Sequence, residues 1–283
     1  MNGASSLLAP IAKRLICRLA GKVALITGRV SGIGESTARL FAEHGAKVVI
    51  ADIQDKFGFS VCQDKSINGD ISYVNCDVTS AFDVENVVNT VVSKRGKLDI
   101  MFNNVGLSGQ RYENILAIEQ KEYKRLFDVN VLGSFLGAKH KAKVMIPAKR
   151  GSIIFTASST TQSHGMASHT YTASKHAIVG LTKNLCVELG QYGIRVNCIS
   201  PHFVATPMVL KAMAIDKKKV EEIVFSAANL KGAVLEAGDV ADAALFLASE
   251  ESKYVSGLNL VVDGGYSTTS IAFPKRIQKF FST

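Results

Sequence analysis

Short runs of apolar and β-branched residues alternate along the chain with longer segments in which apolar residues recur three and four positions apart. Runs of the first kind, bounded by glycine or polar residues, indicate strands that are buried on both faces of a sheet. The predicted strands are residues 22–27, 47–52, 71–77, 98–103, 151–157, 195–200 and 258–262. The predicted helices are residues 35–45, 84–94, 121–143, 171–192 and 240–249.

The alternation of strands with helices predicts a doubly wound α/β fold with helices on both faces of the sheet. We expect a mostly parallel sheet of about seven strands. Because no linker-like stretch or internal repeat divides the chain, we predict a single domain over residues 20–283, preceded by an N-terminal arm over residues 1–19.

The composition narrows the classes of protein that remain. The chain has 283 residues, 47% of them hydrophobic, which is enough for a large core. No apolar run is long enough to cross a bilayer, so we expect no membrane partner. The cysteines form no CxxC pair and the histidines show no metal-ligand spacing; the cysteines are Cys17, Cys62, Cys76, Cys186 and Cys198. This pattern argues against a disulfide framework and a zinc site, and it favours a reducing compartment.

The net charge of +9 raises the question of nucleic-acid binding. The basic residues are scattered, residues 217–219 are the only run of three lysines, and there is no tryptophan. We therefore predict a solvated basic surface without nucleic acid as a partner. No acidic residue precedes Glu35, so a plastid transit leader is an alternative to the packed arm and the cytoplasmic location that we favour.

A glycine-rich turn follows the first predicted strand at residues 27–34. Glycines let the backbone approach a pyrophosphate, and the N–H groups at the start of the next helix face its charge. Asp52 ends the second strand, where its carboxylate can accept the adenosine ribose hydroxyls and repel a 2′-phosphate. The ends of the third and fourth strands, at Asp77 and Asn103, fall at the same edge of the sheet. The pattern predicts NAD rather than NADP.

Tyr171 and Lys175 are four residues apart in a predicted helix and therefore share a face. A free tyrosine has a pKa of about 10, and a neighbouring ammonium group favours its ionised form. A tyrosine adjusted in this way, next to a dinucleotide site, can take a proton from an alcohol. Ser158 precedes Tyr171 by thirteen residues.

The combined motifs resemble those of the short-chain dehydrogenase/reductase family. TGxxxGxG occurs at residues 27–34, NNxG at 103–106, the helix asparagine at Asn130, and YxxxK at 171–175. Four further segments resemble the plant secoisolariciresinol dehydrogenase branch, which includes borneol and xanthoxin dehydrogenase-like enzymes: residues 96–102, 171–177, 193–198 and 254–260. The resemblance implies a Rossmann fold and an alcohol dehydrogenase.

The resemblance also implies roles for individual residues. Tyr171 is the expected general acid/base, Lys175 lowers its pKa and holds the nicotinamide ribose, Ser158 binds the substrate oxygen, and Asn130 holds a water beside Lys175. The implied cofactor-binding residues are Gly28, Ser31, Gly32, Ile33, Gly34, Asp52, Ile53, Asp77, Val78, Asn104, Val105, Gly106, Tyr171, Lys175, Val204 and Thr206. Family members assemble through the helices predicted at 121–143 and 171–192, so we expect a homotetramer.

Some positions depart from the family pattern. Arg29 and Val30 replace small residues of the glycine turn, and Ser31 is not basic, which keeps NAD as the expected cofactor. Val105 replaces the more common alanine. His202 follows Pro201 where many relatives have glycine, and it either lines the substrate cleft or packs at its edge.

The expected substrate is a bulky apolar secondary alcohol. The resemblance places a substrate lid near residues 207–230, whose first part, residues 207–214, is largely apolar, and the sequence shows no arginine clamp for an anion. The predicted substrate-site residues are Ser158, Met166, His202, Met208 and Met213. We expect oxidation of a monoterpenol such as borneol, or of a lignan lactol, to the ketone or lactone. The alternatives are an NAD-bound cyclase or isomerase without net redox turnover, and a basic binding protein with a vestigial cofactor site.

Overall fold

The computed structural model describes residues 17–28, 31–109 and 114–269. Arg29, Val30 and most of the predicted arm lie outside the described residues. The last arm residues belong to the folded domain, because Leu19 is completely buried and its N–H donates to the carbonyl of His44 at 3.0 Å.

Seven parallel strands form one sheet, which confirms the predicted doubly wound α/β fold. The strands are β1 (Val23–Thr27), β2 (Lys47–Asp52), β3 (Asp70–Asn75), β4 (Ile100–Asn103), β5 (Gly151–Thr156), β6 (Ile194–Pro201) and β7 (Asn259–Val262). Their spatial order is β3-β2-β1-β4-β5-β6-β7. The order reverses direction between β1 and β4, which is where open sheets of this kind bind ligands.

The helices cover both faces of this sheet. They are α1 (Ile33–Glu43), α2 (Asp55–Gln63), α3 (Ala81–Arg95), α4 (Gln120–Phe127), α5 (Gly133–Ala148), α6 (His169–Gly190), α7 (Pro207–Met213), α8 (Lys217–Ala227) and α9 (Ala237–Ala248). The segment predicted as one helix over 121–143 contains a π-helical stretch, Asp128–Leu132, between α4 and α5. No helix in the described ranges has both the length and the apolar character needed to cross a membrane.

Alternate residues of each central strand point into two separate cores. Leu25 of β1 packs with α3, α5 and α6 on one face, whereas Ile26 packs with α1 and α9 on the other. Both side chains are completely buried, and full burial of each such side chain contributes about 1.5–3 kcal/mol to folding. Strands buried on both faces hold the carboxyl edge of the sheet rigid, and the loops at this edge form a cleft.

Two strands differ from their predicted bounds by two residues at one end. Strand β3 ends at Asn75, because the Asp77 carboxylate accepts the N–H of Thr79 at 2.9 Å and closes a turn. Strand β4 begins at Ile100. The carboxylate of the preceding residue, Asp99, accepts the N–H of Val23 at 2.9 Å.

Candidate active site

A cleft of about 2070 Å³ runs along the carboxyl edge of the sheet. It brings together residues that are far apart in the chain. Of the residues predicted from the sequence, those that line it are Ser31, Ile33, Asp52, Ile53, Asp77, Val78, Asn104, Val105, Gly106, Ser158, Met166, Tyr171, Lys175, His202, Val204, Thr206, Met208 and Met213. Four predicted residues do not line it: Gly28, Gly32, Gly34 and Asn130.

The glycine turn between β1 and α1 is a close-packed cradle. Gly28 has a φ of 98°, and a Cβ built there would lie 2.6 Å from the backbone nitrogen of Val105. Gly32 has a φ of 64°, and its Cβ would lie 2.6 Å from Cγ2 of Thr206. Both positions therefore require glycine, for conformation and for space.

Ser31 adds a hydrogen-bond donor to this cradle. Its hydroxyl oxygen is buried and has no hydrogen-bond partner among the residues that the structure describes. A buried polar atom without a partner is costly unless a ligand satisfies it. The turn leads directly into α1, whose first N–H groups attract negative charge. Ser31 and the cradle therefore fit the pyrophosphate of a dinucleotide.

Asp52 ends β2 and is buried in the cleft wall. One carboxylate oxygen, Oδ1, accepts the backbone N–H of Gln54 at 2.9 Å and its side-chain amide at 3.2 Å. The carbonyl of Asp52 accepts the hydroxyl of Tyr73 at 2.6 Å, and the same hydroxyl lies 2.9 Å from the Asp55 carboxylate. Burial raises the pKa of Tyr73, and the neighbouring Asp55 carboxylate raises it further. The phenol therefore stays protonated and holds the end of β2.

Ser158 and Tyr171 lie together where β5 ends and α6 begins. Ser158 immediately precedes a short 3₁₀ turn, and its hydroxyl oxygen accepts the N–H of Thr160 at 3.3 Å. The N-cap residue Ser168 accepts the N–H of Tyr171 at 3.2 Å, which fixes Tyr171 in the first turn of α6. Burial raises the pKa of Tyr171, and its hydrogen bond with Ser158 acts in the opposite direction.

Lys175 lies one helical turn after Tyr171. Its ammonium nitrogen Nζ is 5.6 Å from the centroid of the Tyr171 ring and donates to the carbonyl of Thr156 at 2.7 Å. Burial lowers the pKa of Lys175 to about 8. The sequence led us to expect a lowered pKa for Tyr171, whereas the structure gives a raised one, because loss of water around the phenol outweighs the groups that favour its ionised form.

Asn130 lies in the π-helical stretch and is completely buried behind the cleft wall. Its Oδ1 accepts the N–H of Leu107 at 2.8 Å, while its Nδ2 donates to the Leu107 carbonyl at 3.0 Å and to the Ser174 hydroxyl oxygen at 3.0 Å. The Ser174 hydroxyl in turn donates to the carbonyl of Tyr171 at 2.7 Å. Asn130 thus connects the loop after β4 to the part of α6 that carries Tyr171 and Ser174. Its expected role of holding a water stays a prediction.

His202 is among the residues that line the cleft. Its Nδ1 shares a hydrogen bond with the hydroxyl of Ser159 at 3.0 Å, and its ring stacks on that of Tyr266. Burial lowers the pKa of His202, against a smaller opposing effect of Asp263. Tyr266 also lines the cleft and was not predicted. A signal for it existed, because it closely follows β7 at the carboxyl edge of the sheet.

The lid segment predicted near 207–230 contains α7 and α8. Met208 and Met213 of α7 and Ile223 of α8 line the cleft, so this part of the wall is mostly apolar, although Lys211 of α7 lines it as well. Arg125 also reaches the wall, but it is paired with Glu122 at 3.1 Å. Among the described residues, no three histidine, cysteine or acidic side chains are grouped so that they could hold a metal ion.

Comparison with known proteins identifies close relatives. The chain is 55% identical over 272 residues to short chain aldehyde dehydrogenase 1 of Euphorbia lathyris, covering 94% of each chain. It is 55% identical to the mitochondrial borneol dehydrogenase of Lavandula x intermedia (91% of this chain, 95% of the relative). It is 51% identical to the secoisolariciresinol dehydrogenase of Forsythia intermedia (94% and 95%).

The fold and a family model agree with these relatives. The crystal structure of levodione reductase superposes with a TM-score of 0.80 at 30% identity, covering 89% of this chain and 100% of that one. A family model described as enoyl-(acyl carrier protein) reductase matches residues 28–267. The predicted resemblance is confirmed: the chain belongs to the short-chain dehydrogenase/reductase family, whose members are oxidoreductases that use a nicotinamide cofactor.

Proposed function

We propose that the protein oxidises a bulky apolar secondary alcohol with NAD, giving the ketone or, from a lactol, the lactone. The observation that carries this proposal is the convergence of Ser158, Tyr171 and Lys175 on one wall of a cleft that is also lined by Ser31 of the glycine turn. A monoterpenol such as borneol and a lignan lactol are the proposed substrate types. The names of the borneol and secoisolariciresinol dehydrogenases support them.

Tyr171 is the general base in this proposal: its ionised form, the phenolate, accepts the proton of the alcohol. Ser158, which is hydrogen-bonded to Tyr171, donates to the substrate oxygen and stabilises the charge that develops there. Lys175 holds the ribose hydroxyls of the cofactor and takes the proton on from Tyr171 after each turnover, since its pKa of about 8 lies near neutral pH. Bound NAD supplies the hydride acceptor for the carbinol carbon.

The preference for NAD rests on Asp52. Its carboxylate is buried at the end of β2 and has one oxygen, Oδ2, that accepts no hydrogen bond from the residues described. Such an oxygen suits a ribose hydroxyl and repels a 2′-phosphate. The turn residue Ser31 offers no positive charge to offset that repulsion.

The test is a spectrophotometric assay of NADH formation with purified protein and a panel of terpenoid and lignan alcohols, with NADP in parallel. We expect turnover with NAD on a bulky secondary alcohol, and a product that has lost two hydrogens by mass spectrometry. A product of unchanged mass would support the cyclase or isomerase alternative. Binding of NAD without any reaction would contradict the proposal.

Tyr171→Phe tests the proposed base. The variant keeps the ring but cannot accept a proton, so turnover should fall at least about a hundredfold while NAD still binds. NAD binding, followed by protein fluorescence or calorimetry, shows whether the site is intact. Turnover close to that of the wild type would rule out Tyr171 as the general base.

We also propose a cytoplasmic location. All five cysteines are free, which is typical of a reducing compartment. A relative bears the word mitochondrial in its name, so microscopy of a fusion to the full chain should include organelle markers. Import into plastids or mitochondria would contradict this location.

A further inference from the structure

Two aromatic rings from distant parts of the chain stack in the wall of the cleft. The rings of His202 and Tyr266 have centroids 4.3 Å apart and an angle of 23° between their planes. Phe203 contacts His202 edge to face at 5.2 Å. All three residues line the cleft, so we call them the aromatic wall.

Polar contacts hold both sides of the aromatic wall. The His202 Nδ1 is 3.0 Å from the hydroxyl oxygen of Ser159, which directly follows the catalytic Ser158. The Tyr266 hydroxyl donates to the sulfur of Met166 at 2.8 Å. Met166 also lines the cleft, five residues before Tyr171. The wall is thus tied to both segments that carry the catalytic residues.

Hydrogen bonds within the turn that follows β7 fix the position of Tyr266. Asp263 accepts the N–H groups of Gly265 at 2.9 Å and Ser267 at 2.8 Å, which folds residues 263–268 into a tight turn after β7. The carbonyl of Asp263 accepts the N–H of Tyr266 at 3.1 Å. The ring is therefore presented by a rigid turn, which makes it suitable as a surface for recognition.

We propose that Tyr266, stacked on His202, is a specificity-determining residue that favours secondary alcohols carried on a rigid carbocycle over open-chain ones. This inference rests on the proposed function, because it assigns the substrate class of the same site. A rigid ring system presents a flat set of C–H groups to the aromatic wall without losing internal rotations. An open chain must give up rotational freedom to make the same contact.

The test compares kcat/KM for borneol with that for 2-decanol, which has the same number of carbons but no ring. In Tyr266→Leu, we expect the ratio of the two values to fall roughly tenfold, mainly through the KM of borneol. Tyr266→Phe keeps the ring and should retain the wild-type ratio to within about twofold. Tyr254→Leu is the matched control, because Tyr254 is fully exposed and does not line the cleft.

A second readout does not depend on turnover. The Tm of each variant is measured with NAD and either camphor or 2-decanone, the ketones of the two alcohols. Camphor should raise the Tm of the wild type more than 2-decanone does, and Tyr266→Leu should remove this difference. A folded Tyr266→Leu that keeps the wild-type ratio and the wild-type Tm difference would overturn the inference.

These measurements also separate the two proposals. Failure of the wild type to oxidise any alcohol contradicts the proposed function alone. The difference between the Tm increases produced by camphor and by 2-decanone still tests the role of the aromatic wall in that case. Normal oxidation with an unchanged preference in Tyr266→Leu contradicts the inference alone.

Discussion

At the scale of single residues, exclusion of water decides protonation in this cleft. Burial raises the pKa of Tyr171 and lowers that of Lys175 to about 8, so both groups are shifted toward their neutral forms. The spacing of the two residues in the sequence predicts their shared helix face. The spacing does not show how much water surrounds each of the two side chains, because that depends on the loops that follow other strands.

Asp52→Ser should change the choice of cofactor. Removing the carboxylate at the end of β2 removes the repulsion of a 2′-phosphate, so we expect the ratio of kcat/KM for NADP to that for NAD to rise at least about tenfold. The matched control is Asp242→Ser, which makes the same change at an exposed position of α9 outside the cleft. An unchanged ratio in Asp52→Ser would show that another group selects the cofactor.

Lys141 is a second buried lysine, remote from the chemistry. It is completely buried in α5, and its Nζ has no hydrogen-bond partner among the described residues. Burial lowers its pKa, against a smaller opposing effect of Asp99. The folded chain favours the neutral amine, whereas an unfolded lysine has a pKa of about 10.4. Unfolding therefore takes up a proton between these two pKa values, so stability falls as the pH falls through that window.

Lys141→Met should therefore stabilise the protein. We expect a gain of about 1–4 kcal/mol in the free energy of unfolding at neutral pH, measured by urea denaturation. The gain should be smaller at about pH 9 than at about pH 7. At the higher pH, proton uptake by Lys141 on unfolding destabilises the wild type less, so its removal has a smaller effect. Lys139→Met is the control, since Lys139 is exposed on the same helix and should show neither effect. A loss of stability in Lys141→Met would mean that the amine has a structural role.

At the scale of elements, the helices that the sequence analysis missed are those with weak burial. In α2 only Gly58 and Val61 are buried, and in α7 no residue is, so neither has a clear apolar stripe. Helix α8 buries only Val220. By contrast, α1, α3 and α9 bury four or more residues each, and their periodicity predicted them.

Helix α2 packs on β3 through a glycine. A Cβ built on Gly58 would lie 2.2 Å from the ring of Tyr73, which is held by its hydroxyl bonds to Asp52 and Asp55. Gly58→Ala should therefore lower the free energy of unfolding by about 1–3 kcal/mol, as measured by urea denaturation. It should also weaken NAD binding, because Tyr73 supports the end of β2.

Gly238→Ala in α9 is the matched control, since among the described residues no atom beyond the neighbouring residues and backbone of its own helix lies within 4 Å of the added methyl group. Its stability should stay equal to that of the wild type or rise slightly. Equal stability of the two alanine variants would show that the contact between α2 and Tyr73 relaxes without cost.

At the scale of the whole molecule, apolar side chains remain exposed on the helices expected to form subunit contacts. Leu132 and Phe135 are 40% and 43% exposed at the start of α5, and Val187 is 72% exposed on α6. Exposed apolar groups of this kind favour association. We predict a homotetramer, so light scattering should give four times the chain mass of 30.3 kDa.

Phe135→Glu should lower that mass by placing a charge in the proposed interface. Phe82→Glu is the control, because Phe82 is 78% exposed at the start of α3, outside the two helices expected to associate. A monomeric wild type would contradict the predicted assembly. A tetramer in which Phe135→Glu has no effect would move the interface elsewhere.

The residue pattern predicted all seven strands, their parallel sheet, the helices with a clear apolar stripe, and the places of the glycine cradle, Ser158, Tyr171 and Lys175 in the chain. The strands, these helices and the cradle follow from local periodicity and from the rule that ligand-binding residues cluster where parallel strands end, whereas Ser158, Tyr171 and Lys175 follow from their motif and the resemblance to the family. The tertiary structure was needed to show that His202 and Tyr266 stack beside Ser159, that Asn130 connects Leu107 to Ser174, and that Lys141 is buried without a described partner. The reason is physical: stacking, hydrogen bonding and dehydration depend on segments tens of residues apart meeting in space, and no local pattern records which of them meet.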